Sequence, residues 1–264
     1  MQQVSTVSAA FLPRGTLAIG PFSGLTLAIS AGEGVRSIDP IYISQDVRTP
    51  FASATSYDGG IQYFRHFDAL DLSARSGAFL TRVDRDLIFS ESEGRNVLGG
   101  PSQRVGNTTA LRTTGRIFDI AANFTYVQAT FQDTGFLIPY IPDIVVRFDG
   151  ALFGDIPHLR LWNSSFHGVL GLGISYVAPR PLPQSQRGDA QFVVDLNASL
   201  HWKFFELGVT CTNLFDSRYR LGEYNYVSDF HSGAEPTLVP VRHFTAGAPR
   251  TVLVSLSITL GGAP

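Results

Sequence analysis

Alternation of apolar and polar residues runs through the chain from one end to the other. In the final run, Val252, Val254, Leu256, Ile258 and Leu260 fall on one side. Thr251, Ser255, Ser257 and Thr259 fall on the other, with Leu253 as the exception. Successive side chains of a strand point to opposite faces, so this spacing predicts a strand with one apolar and one polar face. Phe192, Val194, Leu196, Ala198, Leu200 and Trp202 likewise oppose Gln191, Asp195, Asn197, Ser199 and His201, with Val193 as the exception. Leu25, Leu27, Ile29 and Ala31 stand against Thr26, Ser30 and Gly32. Phe166, Leu170, Leu172, Ile174 and Tyr176 stand against Ser165, His167, Gly171 and Ser175. Segments 70–82, 119–131, 144–153 and 204–213 follow the pattern more loosely, and the whole reads as about eleven strands.

The links between strands alternate in length. Short ones fall near 20–24, 67–70 and 202–205, and longer ones fill 33–57, 84–107, 132–143, 178–190 and 214–248. Up-and-down antiparallel strands with short turns at one end and long loops at the other match an outer-membrane barrel. Lipid offers the backbone no hydrogen bonds, so spanning strands must pair with one another, apolar side outward. Phe192, Trp202, Phe205 and Tyr176, near strand ends, fit an interfacial aromatic girdle. A soluble β-sandwich or small barrel shows the same alternation, because periodicity alone does not say whether the apolar face meets lipid or protein. The strand lengths, the small polar-face residues and the loop asymmetry favour the membrane reading.

Composition narrows the choice. Charged residues are 16% of the chain, low for a soluble domain, and 44% are hydrophobic. The net charge is −2 with the basic residues evenly spread, so no face suggests nucleic acid. A single cysteine, Cys211, excludes an internal disulfide and a cysteine-based zinc site, and on an apolar face it reads as a small hydrophobe. No run of eighteen apolar residues occurs, so no transmembrane helix is expected. The opening MQQVSTVSAAFLPRG lacks the basic start and apolar core of a secretory signal. No shift in composition divides the chain, so residues 1–264 are read as one domain.

Two motifs sharpen this. The stretch TNLFDSRYR contains Asn213, Leu214, Phe215 and Asp216 followed by Tyr219. It resembles the end of the penultimate barrel strand of TonB-dependent outer-membrane receptors. The run FTAGAPRTVLVSLSITL, with Gly247, Ala248, Pro249 and Arg250, is similar to that family's last strand and the turn before it. Weaker matches are LAISAGEGVRSIDP, with Val35 where the family has Phe, and FDIAANFTYVQATF. The resemblance covers most of the chain as the C-terminal half of a barrel. It implies an all-β, antiparallel up-and-down transmembrane β-barrel, partial at about 11–12 strands, where receptors of this kind have about 22. It also implies outer-membrane lipid around the wall, uptake of a small-molecule ligand such as a metal chelate (ferric siderophore, cobalamin or similar), and a TonB energy-coupling complex engaged through a plug region. The plug is not found here and LGGAP stands where the family ends on an aromatic residue. The chain therefore reads as a fragment, a truncated product, or a small barrel closing on itself.

Turn chemistry accounts for much of the motifs. Asn213 and Asp216 are turn formers, Leu214 and Phe215 suit a membrane boundary, and Gly247 and Pro249 shape the turn before Arg250. Loop residues Arg36, Tyr42, Arg48, Tyr57, Arg218, Tyr219, Tyr224, Tyr226 and His231 are the ligand-binding candidates. Guanidinium groups and phenol rings suit anionic or aromatic chelates. Asp84, Asp86, Glu91 and Glu93 form an acidic stretch that lacks calcium-loop order and is expected to be solvated. The six histidines show no metal-ligand spacing, although His167 and His201 lie on polar faces. No nucleophile elbow or P-loop occurs, no cofactor is called for, and the protein is read as a non-enzyme. A barrel hydrolase with a spatially assembled Ser/His pair stays open as an alternative, as does a soluble interaction domain.

Overall fold

A computed structural model describes residues 9–37, 51–90, 93–229, 233 and 238–260. Its strands are β1 (Arg14–Phe22), β2 (Leu25–Ser37), β3 (Phe51–His66), β4 (Leu70–Val83), β5 (Leu87–Ser90), β6 (Arg95–Leu98), β7 (Ser102–Gly115), β8 (Phe118–Phe131), β9 (Ile144–Leu161), β10 (Ser164–Val177), β11 (Gln191–Trp202), β12 (Phe205–Thr212), β13 (Arg220–Ser228), β14 (Val239–Ala246) and β15 (Thr251–Ile258). Eleven of them form one antiparallel sheet in the order β1-β2-β3-β4-β7-β8-β9-β10-β11-β12-β15. The other two pairs, β5-β6 and β13-β14, are separate hairpins inserted between neighbouring strands.

Register aligns like faces from strand to strand. Leu200 faces Leu207, which faces Leu256, and Leu172 faces Leu196; on β4 and β7 the same, mostly apolar face carries a hydrogen-bonded polar inset of Ser76, Asn107 and Thr109. That face has nothing packed on it: Leu17, Ile29, Leu152, Leu170, Phe192, Val254 and Leu256 all lie exposed. A sheet in water covers such a face with a second layer. The opposite face carries polar rows, for example Asp155, His167, His201, Glu206 and Ser257 across β9, β10, β11, β12 and β15.

The connections at 23–24, 67–69, 116–117, 162–163 and 203–204 are short and lie at one end of the sheet. Trp162 and Asn163 both have positive φ (48° and 58°), as two-residue hairpins that follow the strand twist require. At Gly24, φ is 91° and a Cβ would sit 2.1 Å from the Phe64 carbonyl oxygen, so no other residue fits there. The opposite end holds the long connections and both hairpins.

The structure departs from the sequence reading mainly at this loop end. β2 and β3 run well into 33–57, and the stretches 84–107 and 214–248 contain the hairpins and the start of β7; at the short-turn end, β9 extends to Leu161 rather than stopping at 153. Strands longer than the roughly ten residues that span an apolar band project beyond it. There Ala52 and Val83 are buried with Ala54, Leu87 and Leu98 packed against them, among polar and charged neighbours, and the alternation that reveals a strand disappears.

Eleven alternating strands have a geometric consequence. β1 and β15 both run toward the short-turn end, and among the described residues they pair only with β2 and β12. Closing this sheet entirely by antiparallel pairs requires an odd number of additional strands between β15 and β1. One chain bringing its two edges together would form a parallel seam.

Candidate functional site

The octet of the first motif is a buckle. Asn213 has φ of 52° and is 2% exposed. Its side-chain amide donates to the Ser217 and Ala248 carbonyl oxygens, both at 3.0 Å, while its Oδ1 accepts from the Ser217 N–H at 2.9 Å. Asp216 Oδ1 accepts from the Arg250 N–H at 3.0 Å. Tyr219 lies flat over Gly247, where a Cβ would come within 2.4 Å of its ring, and the Gly247 N–H donates to the Tyr219 carbonyl at 2.8 Å. Leu214 N–H donates to Val194 O, and Phe215 is exposed. The Pro249 carbonyl accepts from the Thr251 hydroxyl. Together these contacts tie the two feet of the β13-β14 excursion to the top of β12 and β15.

Above the buckle, the hairpin is pinned onto the 178–190 loop by buried polar groups. Glu223 is 5% exposed; its carboxylate accepts from the Asp189 N–H (2.6 Å) and Arg220 (2.8 Å), with Arg242 at 3.7 Å. The hydrogen bond from Arg220 to Glu223, aided by the charge of Asp189, raises the pKa of that guanidinium above its ordinary value. Asn225, also buried, donates to Pro183 O at 3.1 Å and Gln184 Oε1 at 2.8 Å. Tyr224 reaches the other way, its ring 5.7 Å from Tyr140 and 6.0 Å from Phe89. Three long connections thus meet on one tyrosine. Beside it, residues of the 132–143 and 178–190 loops, including Phe136, Pro139, Leu182 and Arg187, line an open cavity of about 560 Å³.

The ligand-binding candidates scatter. Tyr224 belongs to the loop-end cluster, and Tyr226 stacks on His243 at 3.9 Å. Arg218 is exposed beside the buckle, and Tyr219 belongs to the buckle itself. Arg36 lies at the loop end of β2 with Nη1 3.7 Å from Asp86 Oδ1. Tyr57 is not in a loop: it sits within β3 on the exposed apolar face, turned away from the loop cluster. Tyr42, Arg48 and His231 lie outside the described residues, as does Glu91.

Asp86 corrects the expectation of a solvated acidic stretch. It is 2% exposed, accepting from Ser102 Oγ at 2.7 Å, Arg104 Nη2 at 2.5 Å and the Leu87 N–H at 2.9 Å. It anchors the β5-β6 hairpin to the top of β7. Glu223, Asn225 and Tyr140 carry no signal in the sequence, because each takes a partner from another loop: Asp189 for Glu223, Pro183 and Gln184 for Asn225, and Tyr224 for Tyr140.

The polar face has its own charge ladder. Arg112 binds Asp119 (2.6 Å), and Arg147 binds Asp149 and Ser175 Oγ (2.6 Å) with Asp195 at 3.8 Å. His167 Nδ1 lies 3.2 Å from Asp155 Oδ1. Among the described residues no group of three His, Cys, Asp or Glu side chains is placed to hold a metal ion.

No protein-family model matches the chain, and a search of curated proteins finds no match. Solved structures do match. The ferric yersiniabactin uptake receptor FyuA from Yersinia pestis superposes with a TM-score of 0.66 at 15% identity, over 93% of this chain and 36% of the receptor. The siderophore receptor PiuA from Acinetobacter baumannii gives 0.63 at 13% identity, over 93% and 35%. The copper transporter OprC gives 0.63 at 17% identity, over 94% and 38%. The chain thus spans little more than a third of these proteins, and its fold is that of the barrel wall of TonB-dependent receptors.

Proposed function

We propose that the chain forms part of the wall, the C-terminal portion, of an outer-membrane TonB-dependent receptor that takes up a scarce ligand, with a metal chelate as the favoured class. The observation that carries this reading is the sheet itself. One face is apolar, in register and uncovered; the other is polar and charged; and every elaborated connection gathers at one end. Lipid is the solvent that stabilises such a face, and the gathered loops bring aromatic and charged side chains together around an open cavity. The fold shared with FyuA, a ferric yersiniabactin uptake receptor by name, and PiuA, a siderophore receptor by name, supports the ligand class.

Tyr224, with Tyr140 and Phe89 around it, and the cavity that Arg187 lines in the neighbouring loops are the proposed recognition region. Aromatic rings and guanidinium groups would hold an anionic or aromatic chelate by ring contact and charge-assisted hydrogen bonds. In this reading the TonB complex engages a plug region that lies outside the eleven strands. The test is titration of a panel of ferric chelates onto the full chain reconstituted in phospholipid vesicles, followed by the intrinsic fluorescence. Saturable binding weakened at least tenfold by Tyr224→Ala supports the reading, and no saturable binding by any chelate refutes it.

A second reading, a barrel hydrolase, has one contact in its favour: Ser228 Oγ lies 3.0 Å from His243 Nε2 on the β13-β14 hairpin. Ester hydrolysis by the vesicle-bound chain that disappears in Ser228→Ala would establish it. The absence of hydrolysis across short- and long-chain esters would remove it.

A further inference from the structure

The short-turn end carries an arrangement that ligand uptake does not use. Each turn presents a large apolar residue to solvent: Phe22, Phe67, Ile117, Trp162 and Phe204 are all exposed at or beside a turn. An exposed cation accompanies four of them, namely Arg65, Arg116, Arg160 and Lys203. Among the described residues none of these four forms an ion pair. The loop-end arginines behave differently, since Arg36 and Arg104 meet Asp86, and Arg220 and Arg242 meet Glu223 and Asp189. The turn-end carboxylates Asp71, Asp119, Asp155 and Glu206 sit on the polar face, leaving Asp68 at a turn tip.

The arrangement is densest across β9 to β12. Trp202 is 9% exposed because Trp162, Phe166 and Phe205 surround it, with ring centroids 5.2, 5.7 and 6.0 Å away. Its indole N–H donates to Leu161 O at 3.3 Å, which fixes its tilt. Lys203, held with φ of 52° in the turn, places Nζ 5.6 Å from the Trp162 ring and 5.4 Å from the Trp202 ring. Trp162 and Trp202 are the two tryptophans of the chain, and Lys203 is its single lysine. A cation resting on two rings keeps its hydrogen-bond donors pointing outward.

We infer that this clasp is a phospholipid-headgroup site, resting on the membrane reading above: Lys203 takes the phosphate of an anionic glycerophospholipid, and Trp162 and Phe204 take the glycerol and upper acyl region. The charge pattern chooses the occupant. An apolar tip alone would suit any lipid, but a row of cations without acidic partners beside those tips matches a layer of phosphates at headgroup height. Rings with a wet and an apolar side settle at that depth, and a basic side chain there gains from an anionic surface. Arg65, whose guanidinium lies 5.2 Å from the Phe67 ring, repeats the pattern on the β3-β4 turn.

Tryptophan fluorescence reads the site directly, because both tryptophans belong to it. The full chain is reconstituted in phosphatidylcholine vesicles containing either phosphatidylglycerol brominated high on its acyl chains or the equally brominated phosphatidylcholine, at the same mole fraction. The parent chain is expected to be quenched preferentially by the anionic lipid. Lys203→Asn removes the cation while suiting the positive φ, and should lower that preference about fivefold; Lys203→Arg should keep it. Equal preference in the parent and Lys203→Asn overturns the clasp, and a shift reproduced by inorganic phosphate without anionic lipid overturns the lipid as occupant. Absence of quenching by either brominated lipid is a different outcome, which refutes the membrane reading itself. Amide exchange in β9 to β12 that is unchanged in Lys203→Asn confirms that a lost preference reflects lost contact; faster exchange there moves the test to Lys203→Gly, which also suits the positive φ, and an unchanged preference there overturns the proposal.

Discussion

Asn213 concentrates three hydrogen bonds and a left-handed backbone in one buried residue. Its amide joins three backbone groups, the Ser217 N–H and carbonyl and the Ala248 carbonyl, and its backbone occupies a left-handed conformation that asparagine tolerates. Asn213→Ala should cost about 2–3 kcal/mol, seen as a lower urea midpoint and faster proteolysis between 214 and 248. Asn213→Gly keeps the backbone conformation and loses the bonds, so it should recover part of the loss and no more. Gly247→Ala should destabilise by about 1–3 kcal/mol through the Tyr219 ring, and Tyr219→Ala in the same chain should reverse part of that. If Gly247→Ala is neutral while Tyr219 is intact, the ring does not lie where the account places it.

At the scale of the element, the β13-β14 hairpin depends on one buried carboxylate. Glu223→Gln leaves Arg220 and Arg242 facing an uncharged amide, so amide exchange in β13 and β14 should accelerate at least tenfold while β8 to β10 stay protected. The pKa of Arg220 is raised in the folded state, so its contribution is complete at every pH below the unfolded value. It is lost only as pH climbs through the raised one, far above neutrality. Hairpin exchange, corrected for the intrinsic rate, should therefore show no pH dependence from Arg220 around neutrality.

The sheet strands are legible because one apolar and one polar face impose a period of two on runs such as 191–202 and 251–258. The hairpins are not, since Leu87–Ser90 and Arg95–Leu98 are too short to show a period. Nothing in DRDLIFSESEG announces that Ser102 and Arg104 close over Asp86, so its burial is visible only in the fold. Tyr57 was read as a loop residue because the polar Ser56 and Asp58 around it hide a strand whose other face is apolar. The turn chemistry of Asn213 and Asp216 was visible in the octet, whereas their partners Ala248 and Arg250 lie some thirty-five residues on and needed the fold.

Across the whole molecule, the two unpaired edges set the strongest expectation. Alternate N–H groups of β1 and β15 point away from the sheet, so in the isolated chain they should exchange orders of magnitude faster than those of β8, β9 and β10. Uniform protection along β1 and β15 would mean that the edges find partners in a single chain, against the direction in which both run. The two faces make the complementary claim about solvent. With Cys211 replaced by serine, single cysteines are introduced at Leu172 and Leu256 on the apolar face and at Asn197 and Ser255 on the polar face of the vesicle-bound chain. The measurement is their rate of reaction with a membrane-impermeant, water-soluble thiol reagent. The account predicts rapid labelling at 197 and 255, and protection at 172 and 256 that detergent does not lift but a denaturant does; equal labelling of all four positions in intact vesicles would contradict it.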